Sequence, residues 1–565
     1  MTAPMSLTLF CLAAVVLLPL LASALSVLLG TAARRVMGVI TSVTVLGLVT
    51  PILIQVTSGQ TLELALGGFE SPLGITLRAD GLSALFLAMT AIVGAVVSCY
   101  AAARPAATGK RLVPAAEQRR RSHPADAGIG AEATAHREAR SVVHADPSPV
   151  WRAGHAGFWP LWLGCWSGLN AVFVSGDLFN TYVGLELVGL TAVALVALGG
   201  RDAWPAALRY LFIAVLGSLL FLIGVALIYS VTGTLDIIAS GEVIAELAAS
   251  HDADLAAVVL ALCLISLGLA LKVALVPLHR WLIPAHSSAP SAVSPLLSAL
   301  VIKAALFVLL RVWLWVAGPL PELVILAWVL AGMGAVAILV GSVMALRQSR
   351  LKPLIAYSTV AQAGYWFLLL PLLLDPETTA LEGQTGTTLE DGAVLAGALG
   401  GTVALALGHG LAKASLFLAA GHLKDLYGTD EIDELRGAGR AHPMLVMSMG
   451  LSAVGLIGLP LSLGFTGKWL LATSAVAAGH YWILVVLVAG TLFSAAYLLK
   501  AVAPLLVMSE DDQTALTLPQ AQTHPDDRAL TGKAQLAPFV LGLLTVLTGF
   551  LGAWLTGVLE VGAPW

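Results

Sequence analysis

Five charged side chains in this sequence stand inside apolar runs. Lys272 lies in Leu-Gly-Leu-Ala-Leu-Lys-Val-Ala-Leu-Val-Pro-Leu-His-Arg-Trp-Leu, Lys303 in Leu-Val-Ile-Lys-Ala-Ala-Leu-Phe-Val-Leu-Leu, and Glu186 in Tyr-Val-Gly-Leu-Glu-Leu-Val-Gly-Leu; Lys413 and Lys468 are embedded in the same way. A charge at mid-membrane depth costs roughly 2.5–3.5 kcal/mol on insertion scales, and ionisable groups kept there mark ion pathways. Five on separate apolar segments suggest a relay. Glu186 is flanked by Leu185 and Leu187, so its partner must come from another helix. An ion pair between Glu186 and a membrane lysine would lock two helices, and it would also suit a proton switch.

The residues around these charges support proton chemistry. Pro277 follows Lys272 by five positions. A proline in a helix opens the backbone and frees carbonyls, around which polar groups and water can gather. Snorkelling to the surface is the bland reading of Lys272, and its depth speaks against it. His279 and His286 flank the break, with Ser287, Ser288 and Ser291 close by. No Cys or acid accompanies the two imidazoles, so a metal site is not expected; water-linked proton transfer and helix capping both remain open. His409 and Lys413 are four apart and share a helix face. Lys468 follows Pro460 in Gly-Leu-Pro-Leu-Ser-Leu-Gly-Phe-Thr-Gly-Lys-Trp, which lacks the spacing and the Ser/Thr of a phosphate loop. There is no dinucleotide fingerprint, no CxxC set and no nucleophile triad, so neither catalytic chemistry nor a cofactor is expected of this chain. Cys11, Cys99, Cys165 and Cys263 lie in or beside apolar runs and read as packing residues.

Apolar helices must position these groups. The chain is 58% apolar and 11% charged, against about 25% charged in soluble proteins. Runs longer than ~18 apolar residues recur along it, giving an all-α polytopic membrane protein with about 14 spans. The first run starts at Met5 without a basic flank and reads as a retained helix, not a cleaved signal. Basic residues set the orientation. Arg34 and Arg35, the long 104–157 segment, and the 347–353 loop with Arg347, Arg350 and Lys352 all fall on one side, the cytoplasm. Loops 232–253 and 374–391 carry acids without Lys or Arg and face outward, as do both termini. The acidic 507–535 loop falls on the inner side, an exception that carries little weight. The net charge of −4 gives no hint of nucleic-acid binding.

Five segments follow from this pattern. Residues 1–103 form a three-helix N-terminal segment. Residues 104–157, rich in Ala, Pro, His and Arg, read as a disordered cytoplasmic loop, and the Arg119-Arg120-Arg121 run within it as a topology signal. Residues 158–316 and 317–506 are two five-helix sets, each with a proline and an embedded lysine in its fourth span (Lys272 and Pro277, Pro460 and Lys468). An odd number of spans per set inverts the second relative to the first, the pattern of many transporters. Residues 507–565 hold a cytoplasmic loop and a C-terminal helix.

These motifs resemble the antiporter-like membrane subunits of respiratory complex I, a family shared with Mrp-type cation/proton antiporters and membrane hydrogenases. The resemblance rests on Leu271-Lys272, Pro277-Leu278-His279, Trp281-Leu282, Ala285-His286, Ala289-Pro290, Val293-Ser294, Lys303 and Arg311. It extends to Leu351-Lys352-Pro353, Ala356-Tyr357-Ser358-Thr359, Gln362, His409 with Lys413, and Gly464-Phe465 with Lys468. It covers nearly the whole chain apart from 104–157 and the far C-terminus. It implies 14 helices, two inverted five-helix repeats, broken helices seven and twelve, and a central hydrated line of acids and bases. In that line Glu186 is the fifth-helix glutamate, Lys272 the broken-helix lysine, Lys303 the eighth-helix lysine and Lys468 the twelfth-helix lysine. Lys468, Gly479-His480 and Ala495-Ala496-Tyr497 lean towards the Mrp D-like branch. Trp281-Leu282-Ile283-Pro284-Ala285-His286 departs from the family's usual Trp-Leu-Pro-Asp-Ala-His.

The expected function is that of a proton-translocating subunit in a multi-subunit Mrp-type cation/proton antiporter of a prokaryotic inner membrane. Protons would move along Glu186, Lys272, Lys303, His409, Lys413 and Lys468, supported by His279, His286, Pro277 and Pro460. The partners would be other membrane subunits, the lipid bilayer, and sodium or another monovalent cation. The alternatives are a proton channel in a redox-driven complex and a membrane partner in an inorganic-carbon uptake complex; a passive scaffold would not need five buried charges. Replacing residues 106–150 with a short Gly/Ser linker, with Arg104 and Arg152 kept, should leave proton flux and subunit composition unchanged. Loss of one specific subunit from the purified complex would instead identify this insertion as a docking segment.

Overall fold

The computed structural model describes residues 7–69, 74–103, 157–250, 253–318, 320–374, 393–507 and 525–564. The 104–157 loop, apart from Gly157, and most of the 374–391 loop lie outside the described residues, and so does 508–524 of the acidic loop. Hydrocarbon offers no hydrogen-bond partners, so apolar runs satisfy their own backbones as helices. Helices α1 (Leu7–Leu28) and α2 (Thr31–Thr57) lead into a small antiparallel pair, β1 (Leu62–Ala65) and β2 (Thr76–Ala79), with Leu62 opposite Ala79. Then come α3 (Gly81–Ala103), α4 (Phe158–Val174), α5 (Leu178–Ala197) and α6 (Trp204–Thr232). The chain continues through α7 (Ile237–Ser250), α8 (Leu255–Val273), α9 (Leu282–Ser288), α10 (Val293–Leu296) and α11 (Ile302–Trp315). Next are α12 (Val324–Leu346), α13 (Leu351–Gly364), α14 (Leu370–Leu373), α15 (Ala393–Tyr427) and α16 (Ala438–Ala441). The last are α17 (Pro443–Ile457), α18 (Leu463–Ala477), α19 (Tyr481–Leu506), α20 (Pro525–Leu547) and α21 (Gly552–Leu559).

Among the described residues, 12 helical segments are long and apolar enough to cross a membrane, and the chain is a multi-pass membrane protein. The 17-residue α4 and the pair α17 and α18 are further apolar helices below that length. Burial sorts centre from periphery. The apolar windows of Val293–Trp315 and Leu351–Leu373 are each 94% buried, and those of Gly81–Ala103 and Val394–Tyr427 78%, against 33% for Leu7–Leu28 and 28% for Ala534–Leu559. Thus α3, α11, α13 and α15 form the middle of the bundle, and Lys303 and Lys413 stand on two of them.

Close crossings hold the layers together. A Cβ added to Gly268 on α8 would lie 2.4 Å from the carbonyl oxygen of Gly217 on α6, and one on Gly467 of α18 would lie 2.7 Å from that of Gly401 on α15. Small residues let membrane helices approach to backbone contact, where dispersion replaces the missing hydrophobic drive. Both crossings adjoin an embedded lysine, Lys272 in one case and Lys468 in the other.

At one end of the bundle β2 bridges to Ser175, Asp177 bridges to Asp236, and Gly81 donates its N–H to Val561 O at 2.9 Å. This is the end that the loop charges assign to the outside. At the opposite end Arg350 bridges to Glu431.

Several elements differ from the sequence expectation. The 232–253 segment is not merely a loop: it contains α7, whose first turn is capped by the Asp236 carboxylate, which accepts the N–H groups of Ile238 and Ala239 at 3.0 Å. The 290–316 run is interrupted by a π-helical turn at Leu297–Val301. The last membrane helix begins at Pro525, within the segment read as a loop to residue 535. If the α6–α8 crossing is as close as described, Gly268→Ala should destabilise the purified protein by about 1–3 kcal/mol through overpacking. An unchanged thermal transition in detergent would contradict that contact.

Candidate functional site

Three groups of buried polar side chains cross the middle of the bundle. The first is at the break after α8. The helix stops at Val273, Ala274 turns left-handed at φ 63°, and Leu278–Trp281 forms a 3-10 turn. The Trp281 indole N–H donates to Leu271 O at 3.1 Å, taking up a carbonyl near the broken end, and Tyr210 stacks on Trp281 at 4.3 Å. Pro277 lies in the gap, as its sequence position suggests. Lys272 Nζ lies 3.8 Å from Glu186 Oε1 on α5, so the partner that Glu186 required is Lys272. Their side chains are 10% and 24% exposed. At this separation attraction is about 4 kcal/mol at an effective dielectric of 20, and it offsets only part of the several kcal/mol that each of two ions loses on leaving water. A cavity of about 20 Å³, lined by Lys272, Gly189, Tyr210 and Trp281, extends to Val301 and Ala305 on either side of Lys303. It has room for about one water.

The second group is fully buried. The π turn ahead of α11 leaves Ser298 O to accept from Lys303 Nζ at 2.6 Å, and single π turns inside helices recur at functional sites. Lys303 Nζ also meets His409 Nδ1 on α15 and lies 5.1 Å over the Trp366 ring. One turn further on, Lys413 Nζ donates to Ile355 O at 2.9 Å and to the Ser358 hydroxyl on α13. The i, i+4 spacing thus places both side chains in the interior, each against a different helix. His286 is 0% exposed and stacks on Phe417 at 4.6 Å, and neither of its ring nitrogens has a hydrogen-bond partner among the described residues. It therefore caps no helix. The charges of Lys413, Lys352 and Lys303 act on it. His279 is half-buried beside Arg280.

The third group surrounds the break between α17 and α18. Gly458 at φ 80° and Leu461 at φ 72° reverse the chain around Pro460. Lys468 Nζ donates to Ile457 O and to the Thr491 hydroxyl, both at 2.9 Å, and lies 5.0 Å over the Tyr365 ring. Gln362 Nε2 donates to Leu456 O and meets the Ser494 and Tyr497 hydroxyls, each at 3.2 Å. The α13 segment and the turn after it thus join the groups: Ser358 touches Lys413, Gln362 the polar cluster of α19, and Tyr365 Lys468.

Sequence reasoning missed part of this. Lys352, counted as a loop charge, is 2% exposed in the first turn of α13 and donates to Ala289 O at 2.9 Å. Its signal was the apolar Leu351 and Pro353-Leu354-Ile355 around it, hidden by Arg347 and Arg350 nearby. Arg311 was noted only as a motif match. It forms a buried ion pair with Asp80 at the start of α3 and donates to the Ser83 hydroxyl at 2.9 Å. Among the described residues no cluster of three or more His, Cys, Asp or Glu could hold a metal ion.

The arrangement defines a polytopic membrane protein built around buried ionisable groups. The chain belongs to the NADH:quinone oxidoreductase/Mrp antiporter transmembrane family, whose model matches residues 175–375 and 384–494. The N-type NADH-quinone oxidoreductase subunit of Desulforudis audaxviator is 36% identical over 349 residues, covering 61% of this chain and 64% of that protein. The D-type Na(+)/H(+) antiporter subunit of Bacillus subtilis is 26% identical over 471 residues, covering 83% and 81%. A chain in the structure of the Mrp complex from Dietzia sp. DQ12-45-1b has the same fold, with a TM-score of 0.75 at 23% identity over 99% of this chain and 97% of that one.

The Glu186–Lys272 contact predicts a non-additive pair. Glu186→Gln alone should destabilise the purified protein by about 1–3 kcal/mol, because it leaves Lys272 without its counter-charge. Lys272→Met in the same chain should recover part of that loss. Strictly additive shifts in a thermal double-mutant cycle would show that the two side chains do not interact.

Proposed function

We propose that this chain is the proton-translocating subunit of a multi-subunit Mrp-type cation/proton antiporter in a prokaryotic plasma membrane. The observation that carries the reading is the series of buried groups across the bundle: Glu186 and Lys272, then Lys303, His409 and Lys413, then Lys468. In this reading a proton taken by Glu186 cancels its attraction for Lys272. Lys272 is then free to pass its own proton through the small cavity towards Lys303. Lys303 meets His409, and Lys413 stands one turn further along the same helix as His409, with no carboxylate partner to any of the three among the described residues; in this reading they share protons instead of each holding one. His286 and Lys352 border that group. Lys468, held by a carbonyl and a hydroxyl, ends the line in the second half. The two five-helix sets, 158–316 and 317–506, supply one helix break each, within a plan of about 14 helices with both termini outward. The 1–103 segment and the C-terminal 507–565 segment flank them.

The Mrp reading is supported by the extent of the match to the antiporter subunit, which runs over most of both chains. A second reading, a proton channel in a redox-driven complex, is supported by the higher identity to an oxidoreductase subunit over a shorter stretch. The two differ in partner subunits. Purification of the intact complex and identification of its chains separates them, as does asking whether a sodium gradient or an electron donor drives proton flux in proteoliposomes.

Lys303→Met should lower driven proton flux at least tenfold while the complex still assembles, because a thioether fills the same space and carries no proton. Lys468→Glu should impair flux more than Lys468→Arg. Parent-like flux in Lys303→Met would sink the relay, and equal activity of the two Lys468 variants would show that charge sign there does not matter.

A further inference from the structure

At the end of the bundle assigned to the outside, a cavity of about 420 Å³ opens between the β1–β2 pair, the Ser175–Gly176 turn, the start of α7 and the end of α11. Glu63, Arg78, Asp236, Glu242, Arg311 and Trp315 are among its walls. Arg311 is only 4% exposed and forms part of the inner wall. Its guanidinium grips the Asp80 carboxylate through both terminal nitrogens, donates to Ser83, and lies over the Trp315 and Phe307 rings at 4.5 and 5.1 Å. Asp80 is 1% exposed and also accepts the Ser83 N–H at 3.1 Å.

The helix carrying Arg311 also carries Lys303. Lys303, Phe307 and Arg311 are spaced four apart, so they follow one another along one face, about 6 Å per step and about 12 Å from end to end. At the middle step Phe307 packs with Phe86 of α3 and Phe173 of α4. Ring centroids are 5.1–5.5 Å apart, and none of the three is more than 1% exposed. A dry aromatic layer thus separates the Lys303–His409 contact from a buried carboxylate that stands behind Arg311 and Arg78, two wall residues of an open cavity. With that rise along the helix axis, and Lys303 Nζ turned back to Ser298 O, the two groups are beyond a hydrogen bond, so a proton passing between them needs a chain of waters.

We propose that Asp80 is the outer proton-exchange group of the first half of the pathway, with the Phe86–Phe173–Phe307 layer as the barrier between it and Lys303. When the layer parts, a proton leaves Lys303 over bridging water and binds the Asp80 carboxylate. Protonated Asp80 loses its charge and releases Arg311, whose positive charge then favours loss of the proton from Asp80 to the water of the cavity. That loss re-forms the ion pair, and Lys303, left as the amine, takes its next proton from the Lys272 side of the relay, which returns the protein to its starting state. The walls suit this use: Arg78, whose Nε lies 3.7 Å from Asp80 Oδ2 and which also pairs with Glu63, is a second cation that favours loss of the proton from Asp80, and the carboxylates of Glu63, Asp236 and Glu242 outnumber Arg78 along the wall, so the cavity attracts hydronium and cations over anions.

This rests on the proton-transfer reading above, and the experiment separates the two. The intact complex is reconstituted in proteoliposomes and passive proton leak is followed with a pH-sensitive dye, with no driving ion gradient. Phe307→Ala should raise the leak about tenfold, and so should Phe173→Ala on a different helix. Adding Asp80→Asn to Phe307→Ala should return the leak to the parent level, as should adding Lys303→Met. A merely structural Asp80–Arg311 pair would leave the leak high in the Asp80→Asn double variant, and that result overturns the proposal. An assembled Phe307→Ala complex with parent leak overturns it too.

If the core variants fail to assemble, Ala239→Cys at the cavity wall serves instead. Labelling from the outside with a bulky, membrane-impermeant maleimide should lower driven flux at least tenfold relative to the parent treated alike, and unchanged flux at full labelling refutes the cavity as the outer mouth. Parent-like driven flux in Lys303→Met sinks the relay itself. Loss of driven flux in Lys303→Met together with unaltered leak and unblocked flux sinks only the outer exchange site.

Discussion

A helix in hydrocarbon cannot open its backbone unless something inside the protein takes up the freed groups, and this constraint organises the middle of the molecule. The chain opens near Pro277, at the π turn of Leu297–Val301 and around Pro460. Lysines occupy carbonyls at two of these places: Lys303 takes Ser298 O and Lys468 takes Ile457 O. Lys352 takes Ala289 O just past the end of α9, and Lys413 takes Ile355 O within α13. At the Pro277 break the carbonyl of Leu271 goes to Trp281 instead, and the neighbouring Lys272 turns to Glu186. The breaks and the lysines need each other. An ammonium without a carbonyl would be stranded in a low dielectric, and a carbonyl without a donor would cost several kcal/mol.

Carbonyls and hydroxyls are neutral partners, and that has a consequence for movement of charge. A full counter-charge fixes a lysine in one state, whereas an oriented dipole stabilises the ammonium while allowing the amine to be reached. Lys303, Lys413 and Lys468 are all held in this way, and of these four buried lysines Lys272 alone has a carboxylate within 4 Å among the described residues. On the proposed reading, the first half carries an acid–base switch and the middle a set of bases that pass protons among themselves. Four central helices supply this rigid frame, and the peripheral helices cover it against lipid.

The embedded lysines were legible in the sequence because a charge in a 20-residue apolar run has no other explanation as simple. Pro277 and Pro460 marked two of the three backbone openings. The need of Glu186 for a partner on another helix was legible from its leucine neighbours, and the structure supplies Lys272. The rest was hidden for physical reasons. The π turn lies in Leu-Ser-Ala-Leu-Val, which has neither proline nor glycine, and only packing against α13 and α15 reveals it. Lys352 sits at the boundary between loop and helix, where charge usually means water, and its burial depends on α9 folding over it. Asp80 stands at the edge of a span, and the residue that neutralises it lies more than 200 positions later in the chain. Helix α7 and the β1–β2 pair are short, polar-edged elements whose periodicity is too brief to separate from loops.

The two ends of the buried line are chemically unlike. At Lys272 the partner is a carboxylate with partial access to solvent, so charge can be cancelled there by one proton. At Lys468 the partners are a carbonyl, the Thr491 hydroxyl and the face of Tyr365, none of which accepts a proton at neutral pH. A proton reaching Lys468 therefore has no protein acid to move to among its described contacts. On the proposed reading it must leave by water or through a neighbouring subunit. Leu459 and Leu461, in the link between α17 and α18 beside Pro460, are exposed and offer an apolar surface there. A subunit whose second half ends at an unmatched lysine and an apolar surface is incomplete by itself, which is the physical reason to expect it to work only within an assembly.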